Sequence, residues 1–440
     1  MHLLPGMCAL AVMAGAASAQ APGASRPAAG ATQSFIPPAT QSRATDTLRL
    51  SRRETIAEAL QRNAQIDVAR EQINEARARR VTATGIPDPT LTAAFDQETS
   101  PFTLSGAASR PVGLGLTIPW PDKFRLNNRI GLADIRTSQS NLRLQQQTIA
   151  LQASASYDSL LVALKHRENL QEALTLASDF LKRTESRFEA GNVAKLDVIQ
   201  AQVGVAQANN DLIGNERDIL TAQASLNRTL GRVTAAPIVP TDSLDVPPPL
   251  PDSAGIEQIA FANRPEIAMV QHQQQSAHAS TSLTKEFWLP DLVFAVNRDY
   301  SQPGSPLFTT GVSLPLPAFY WQHARGDIAQ AQHFERELDA TFRDTRAQVT
   351  QDVRTAYANA STSMRQVVFI RDQLVPAARE AYRVASTSYS LGGSSALEVL
   401  TARSNLLSAL SQLAAALADA NTARADLDRA LGATTTGATR

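Results

Sequence analysis

The residues able to carry chemistry are few, and their spacing speaks against a reaction centre. The six histidines are His2, His166, His272, His278, His323 and His333. None stands in an HExxH pattern or four residues from another, the spacing that brings two ring nitrogens to one metal ion. His272 and His278 face different sides of a helix, and His323 and His333 lie about three turns apart. The one cysteine, Cys8, sits in an N-terminal apolar run, so the remainder has no thiol for disulfides, thiolate metal sites or nucleophilic catalysis. No glycine-rich phosphate loop follows a strand, and neither Asp88-Pro89-Thr90 nor Asn227-Arg228-Thr229 makes a catalytic arrangement. The expectation is no enzyme, no cofactor and no resident metal. What remains are two acids placed just after glycine turns, Asp197 and Glu398, and a set of aromatics at element boundaries.

Those acids sit at equivalent points of a sequence written twice. Gly115-Leu-Thr-Ile-Pro-Trp-Pro121 is matched by Gly311-Val-Ser-Leu-Pro-Leu-Pro317, and Tyr157 by Tyr357. Ala190-Gly191-Asn192 followed by Leu196-Asp197-Val198 is matched by Leu391-Gly392-Gly393 followed by Leu397-Glu398-Val399. Leu226 to Gly231 is matched by Leu427 to Gly432. The offset drifts only from 196 to 201, far longer than a solenoid repeat of roughly 20–50 residues. The chain is therefore two copies of one large unit.

Net charge is zero over 440 residues, which removes the electrostatic case for nucleic acid. Residues 1–19 read as a secretory signal peptide, with an apolar run and Ala17-Ser18-Ala19 as a small-x-small cleavage site, although the start carries only His2 where Lys or Arg is usual. No Leu-Ala-Gly pattern precedes Cys8, so lipidation is not expected. Residues 20–50 read as a disordered or extended leader. No later apolar run reaches about 20 residues, so no transmembrane helix is predicted.

The first repeat, 51–231, opens with a helix from about Ser51, with Glu54 three residues on as a capping box, to about Thr84. A β-hairpin over about 89–119 follows, then a proline-free helix from about Asp122 to Ala190 whose heptad register runs from Leu142 to Phe188. At 1.5 Å per residue it is roughly 100 Å long. A turn at 191 leads to a second helix from about Lys195. Residues 232–252 form a linker with six prolines at 234–251. The second repeat, 253–432, has the same plan: helix to about Phe287, hairpin about 289–317, long helix from about His323 to Tyr389 with a kink at Pro376, turn at 392, final helix, and a tail at 433–440.

Each copy thus supplies two strands of about ten residues, the length of a tilted membrane-crossing strand. Four strands cannot close a barrel, and open edges are not tolerated in hydrocarbon, so several chains must share one. Two chains give eight strands and a filled interior; three give twelve and room for a lumen. Trp120, Trp288 and Trp321, with Phe124, Phe287, Phe319 and Tyr320 beside them, fall at the helix-proximal ends of the strands, the level of an interfacial aromatic girdle.

With Phe188-Glu-Ala-Gly191, Leu196-Asp-Val198, Asn263-Arg-Pro-Glu-Ile267 and Leu431-Gly432, the chain over about 50–432 resembles the TolC-like outer-membrane factors. Ile86-Pro-Asp-Pro89 and Val312-Ser-Leu-Pro-Leu-Pro317 are most similar to the branch of heavy-metal cation efflux ducts, several of which carry a lipidation cysteine that this chain lacks. The resemblance implies a mainly α fold with a small transmembrane β part. Long helical hairpins would form a periplasmic α-barrel, and a homotrimer would share a 12-stranded outer-membrane β-barrel among outer-membrane lipid. It implies a passive exit duct of a tripartite efflux pump in a Gram-negative bacterium, working with a periplasmic adaptor and an inner-membrane transporter. It places adaptor docking at Gly191, Asn192, Gly392 and Gly393. A gate would lie at Glu398, with Thr401 where relatives carry a second acid, and Asp197 as the first-copy counterpart. Three Glu398 carboxylates near an axis would attract cations; the plainer role is a helix N-terminal acid. Two other functions fit the same patterns: a soluble periplasmic coiled-coil scaffold or adaptor, and the outer-membrane part of a type I secretion system.

Overall fold

The computed structural model describes residues 48–93, 111–232, 236–299, 307–314 and 324–433, all within one unit, Ala44–Arg440. The expected signal segment, most of the leader, the first hairpin's loop, and Phe319, Tyr320 and Trp321 lie outside the described residues.

Strand β1 (Leu48–Leu50) leads into α1 (Arg52–Arg62), which starts as its sequence demands: Ser51 N donates to Glu54 Oε2 at 2.8 Å, and Glu54 N donates to Ser51 Oγ at 3.3 Å. The single helix expected to Thr84 is two. Asn63 turns extended (ψ 123°), ends α1, and caps α2 (Ala64–Ala83) by accepting from Gln65 N at 2.9 Å. The second copy breaks at the corresponding place for a different reason. The proline ring of Pro265 disfavours helical geometry at Arg264 (ψ 124°), which separates α5 (Ile256–Asn263) from α6 (Pro265–Lys285).

Strands β2 (Thr90–Ala93) and β3 (Pro111–Ile118) pair antiparallel, and Pro121 at the first position starts α3 (Pro121–Glu189), 69 residues without a break. Helix α4 (Lys195–Thr229) returns along it. The linker adds a short strand that the prolines hid, β4 (Ile238–Pro240), parallel to β1. So the leader is not wholly disordered: Leu48–Leu50 are held by the linker. In the second copy β5 (Leu292–Asp299) starts three residues later than expected, because Glu286–Trp288 forms a 3₁₀ turn first. Strand β6 (Leu307–Ser313) precedes α7 (Ala324–Phe369). At Pro376 the helix does not stop. A π turn, Ile370–Leu374, widens the backbone where the proline ring crowds the carbonyl four residues back, and α8 (Val375–Ser390) continues. Helix α9 (Ala396–Ala430) closes the fold.

The two cores repeat like the sequence. Ile66, Ile149, Ala153, Leu226 and Leu230 are buried in the first, and Ile267, Val349, Val353, Leu427 and Leu431 occupy the same places in the second. Helix α3 also lies against the second copy: Gln147 Nε2 donates to the Gly432 carbonyl at 3.1 Å, and Asn169 Nδ2 to the Leu410 carbonyl at 3.3 Å. The hairpins join across the copies as well. β3 pairs with β5 from Ile118↔Leu292 to Pro111↔Asp299, giving one antiparallel sheet in the order β2-β3-β5-β6.

Candidate functional site

The register of that sheet sorts its side chains by chemistry. Because successive residues alternate faces, the pairings Leu91↔Leu114↔Val296↔Thr310 and Leu116↔Phe294↔Val312 put Leu91, Leu114, Leu116, Phe294, Val296, Phe308 and Val312 on one face. Leu91 is 71% exposed, Phe308 61% and Val312 64%. The opposite face carries Thr90, Thr92, Gly113, Gly115, Thr117, Ala295, Asn297, Thr309, Gly311 and Ser313, with Pro111 and Val293 as its apolar members. The one charge on the apolar face among the described residues, Arg298, stands toward its far end with its guanidinium 5.2 Å from the Phe308 ring. Gly113 leaves room for its neighbour: a Cβ there would meet Asn297 Oδ1 at 1.7 Å. An apolar, exposed face backed by threonine and glycine is the pattern of a strand wall between lipid and water. No helix among the described residues is long and apolar enough to cross a membrane.

At the helix-proximal end, Trp120 and Trp288 are exposed and flank the Ile118↔Leu292 pair, while Phe124 is half-buried one turn into α3. Lys123 Nζ to Asp291 Oδ1 at 2.7 Å ties the copies together here. Next to it, hydrogen bonding from Arg125 holds the Asp122 carboxyl down at about 2, while burial and then Asp122 push Glu286 up. The sequence reading missed this junction, although Lys123 and Asp291 stand at equivalent places after and before strands.

At the other end both helix hairpins turn. Gly191 (φ 73°) and Gly392 (φ 86°) hold left-handed backbone that a side chain would strain, as their positions require. The tips belong together. Arg187 donates from Nη1 to the Tyr389 carbonyl, its guanidinium lies 4.6 Å from the Tyr389 ring, and Arg183 Nη1 donates to Ser386 Oγ at 2.8 Å. Phe180, Ala201, Tyr389, Ala396 and Val399 form the apolar cluster beneath. Glu398 is the third residue of α9 and is engaged locally, accepting from Ser395 N at 3.3 Å in a capping box. Thr401 gives its hydroxyl to the Leu397 carbonyl at 2.8 Å, and Asp197 lies in the first turn of α4. Arg183, Arg187 and Tyr389 were not singled out from sequence; the signal available was two arginines in the last turns of a helix otherwise patterned in heptads.

A third polar centre, also unforeseen, ties the ends of the chain to its middle. Arg52 Nη2 pairs with buried Asp158, Arg52 Nη1 donates to Asn421 Oδ1 at 2.8 Å, and Tyr157 Oη donates to the Leu50 carbonyl at 3.0 Å and Asp242 Oδ2 at 3.1 Å. Burial pushes the Asp158 carboxyl up to about 6 against the opposing pull of Arg52, and burial pushes the Tyr157 phenol up to about 12. Tyr157 was visible only as a landmark of the repeat.

The tandem repeat coincides with a family comparison: the model described as outer membrane efflux protein matches residues 55–232 and again 257–433. The chain belongs to the outer membrane efflux protein family. Membership places it in the outer membrane, as a channel-type protein of efflux, and sets aside the soluble scaffold reading. Among relatives, cobalt-zinc-cadmium resistance protein CzcC of Cupriavidus metallidurans is 22% identical over 376 residues, 84% of this chain and 87% of that protein. Pyoverdine export outer membrane protein OpmQ of Pseudomonas putida is 27% identical over 275 residues, 60% of this chain and 58% of that protein. The fold is that of the outer-membrane channel OprN, with a TM-score of 0.73 at 18% identity, covering 87% of this chain and 89% of that one.

Proposed function

We propose that this family member is the exit duct of a tripartite efflux pump, a passive homotrimeric channel rather than an enzyme. The observation that carries the reading is the four-stranded sheet with one apolar and one threonine- and glycine-rich face, whose outer strands β2 and β6 have no partner among the described residues. Unpaired strand edges are costly in lipid, so β2 of one copy pairs with β6 of the next until the ring closes; three copies give twelve strands and a water-filled lumen. The helices support the same head-to-tail contact. Helix α4 carries an exposed apolar stripe of Leu196, Ile199, Val203, Ile213 and Leu220, at successive spacings of 3, 4, 10 and 7 residues. The far edge of the chain offers Val368, Phe369 and Val384. A contact joining two different surfaces closes a ring under rotational symmetry.

Solute passes along the polar face without meeting lipid, driven by an inner-membrane transporter coupled through a periplasmic adaptor at Gly191-Asn192 and Gly392-Gly393. The gate lies at that mouth, with Glu398, Thr401 and Asp197 nearest the aperture. CzcC, a relative that spans most of both chains, is a cobalt-zinc-cadmium resistance protein, which favours metal cations over drugs as cargo. The test is the mass of the complex extracted from outer membranes in mild detergent, followed by single-channel recording and a metal-tolerance assay of the deletion strain. A conducting trimer and lost metal tolerance support the proposal. A non-conducting monomer refutes the duct, and a deletion strain that fails only in protein secretion moves the chain to a type I system.

A further inference from the structure

The last turns of α3 meet the end of α8 around a pocket of about 440 Å³, lined by Asp179, Lys182, Arg183, Ser186, Arg187 and Ser390. Three of these six are cations, and no carboxylate pairs with them. Arg187 donates to the Tyr389 carbonyl and Arg183 to the Ser386 hydroxyl, both uncharged acceptors. The Lys182 ammonium makes no hydrogen bond or ion pair among the described residues, and neither does the Asp179 carboxylate. Three cations against one acid leave two positive charges uncompensated in the lining. The two arginines stand four residues apart on one helix, a spacing at which like charges repel. Nearby arginines on α8 are paired differently: Arg383 meets Glu380, and Arg379 meets Glu172. Lys182, Arg183 and Ser186 are exposed and Arg187 is half-buried, so the uncompensated charge is within reach of a solute.

The missing negative charge does not come from a neighbouring copy. Val384, part of the edge offered to that copy, lies about 160° around α8 from Ser386, on whose side the pocket opens. We infer that the pocket binds a small organic polyanion, its carboxylate or phosphate groups lying against the Arg183 and Arg187 guanidinium forks and the Lys182 ammonium. A planar guanidinium matches two oxygens of one such group, which a single point charge does not. The volume has room for a molecule larger than one phosphate, and a ligand with two or three charges answers the two left over on the protein. Occupancy removes the repulsion at the contact that joins the two hairpin tips. Such a site needs neither ring closure nor conduction, so its test stands apart from that of the duct.

The test is calorimetric titration of the full-length protein in mild detergent and metal-free buffer with citrate, in parallel with trimethyl citrate, its uncharged ester. Salt at about 0.15 M screens diffuse attraction and leaves direct contacts. Saturable binding of citrate, one per chain, is expected, with at least about tenfold weaker binding of the ester. Lys182→Gln and Arg183→Gln are each expected to weaken citrate by about tenfold. Lys182 has no side-chain contact to lose among the described residues, so its variant reads the site even where Arg183→Gln loosens the tie to Ser386. Absence of saturable citrate binding overturns the inference. So does equal binding of the ester, or Lys182→Gln binding citrate like the parent protein.

Discussion

Arginine placed on the two faces of the sheet separates a membrane wall from any other use of it. Leu114 lies near the middle of β3, on the apolar face, and is 56% exposed in a single chain. Thr92 pairs with Gly113, one residue away, and points to the opposite face. Arginine on the lipid face near the bilayer midplane costs about 2–4 kcal/mol per chain, and lumen positions are nearly free of that cost. With three copies in a ring, Leu114→Arg is expected to cost roughly 6–12 kcal/mol per assembly, since the same substitution appears on every strand set. The assay is the amount of each variant recovered as oligomer from urea-washed outer membranes, then single-channel recording of what is recovered. Leu114→Arg should be lost from the membrane fraction. Thr92→Arg should accumulate normally and pass cations less readily, because three guanidinium groups then line the lumen. Loss of Thr92→Arg with normal accumulation of Leu114→Arg would show that the faces are reversed; equal tolerance of both would remove the sheet from the bilayer.

Four further outcomes follow from named contacts. Arg264, 5% exposed, donates to Glu266 at 2.8 Å and Asp352 at 3.1 Å; burial alone raises Glu266, but Arg264 pulls it below its usual range. Arg264→Met strands two carboxylates and should cost about 3–5 kcal/mol in a denaturant melt, more than Glu266→Gln. Asp158, raised to about 6 by burial, holds its proton better folded than unfolded, so its contribution to stability falls as pH rises from about 4 through 6. Asp158→Asn should therefore gain thermal stability over the parent as pH rises through that window, by up to about 3 kcal/mol; parallel melting curves would contradict this. Glu398→Gln keeps the capping-box acceptor and loses the charge, whereas Glu398→Ala loses both and about 1 kcal/mol of helix start. If the carboxylate belongs to the gate, both variants enlarge conductance; if only the cap matters, Glu398→Ala alone has an effect, visible in a melt. Leu226, fully buried, should cost about 2–5 kcal/mol as alanine.

What was legible in the sequence was whatever local periodicity decides. The 69-residue α3 could be read from missing prolines and a 3.5-residue apolar period, and the Ser51 cap from two side chains three residues apart. The strands could be placed within a few residues by alternation, and their faces followed once register was known. What could not be read was set by partners distant in sequence. Strands β1 and β4 are three residues each, too short to show a strand period, and their pairing depends on Leu48–Leu50 and Ile238–Pro240 meeting across the chain. The β3–β5 pairing across the copies, and the Arg52–Asp158–Asn421 centre that spans 369 residues of sequence, leave no local trace. Asn63 and Pro265 were readable signals of helix breaks, but the apolar pattern ran through both and masked them. At the helix-hairpin tips, the turn glycines were plain. The Arg187–Tyr389 clamp joins residues 202 apart, and only the folded hairpins bring them together.

The two sheet edges left unpaired among the described residues also bear on inheritance. If those edges are satisfied by copies of the same chain, as proposed, no partial state is worth occupying in lipid and each ring is as sound as its worst member. If the ring is the proposed trimer, a cell expressing equal amounts of a normal chain and one altered at β2 or β6 would build only about one ring in eight entirely from normal chains. Lesions at those edges should behave as dominant, suppressing the function of an intact copy. Lesions in the buried cores, which stop the chain from folding before it meets a neighbour, should be recessive.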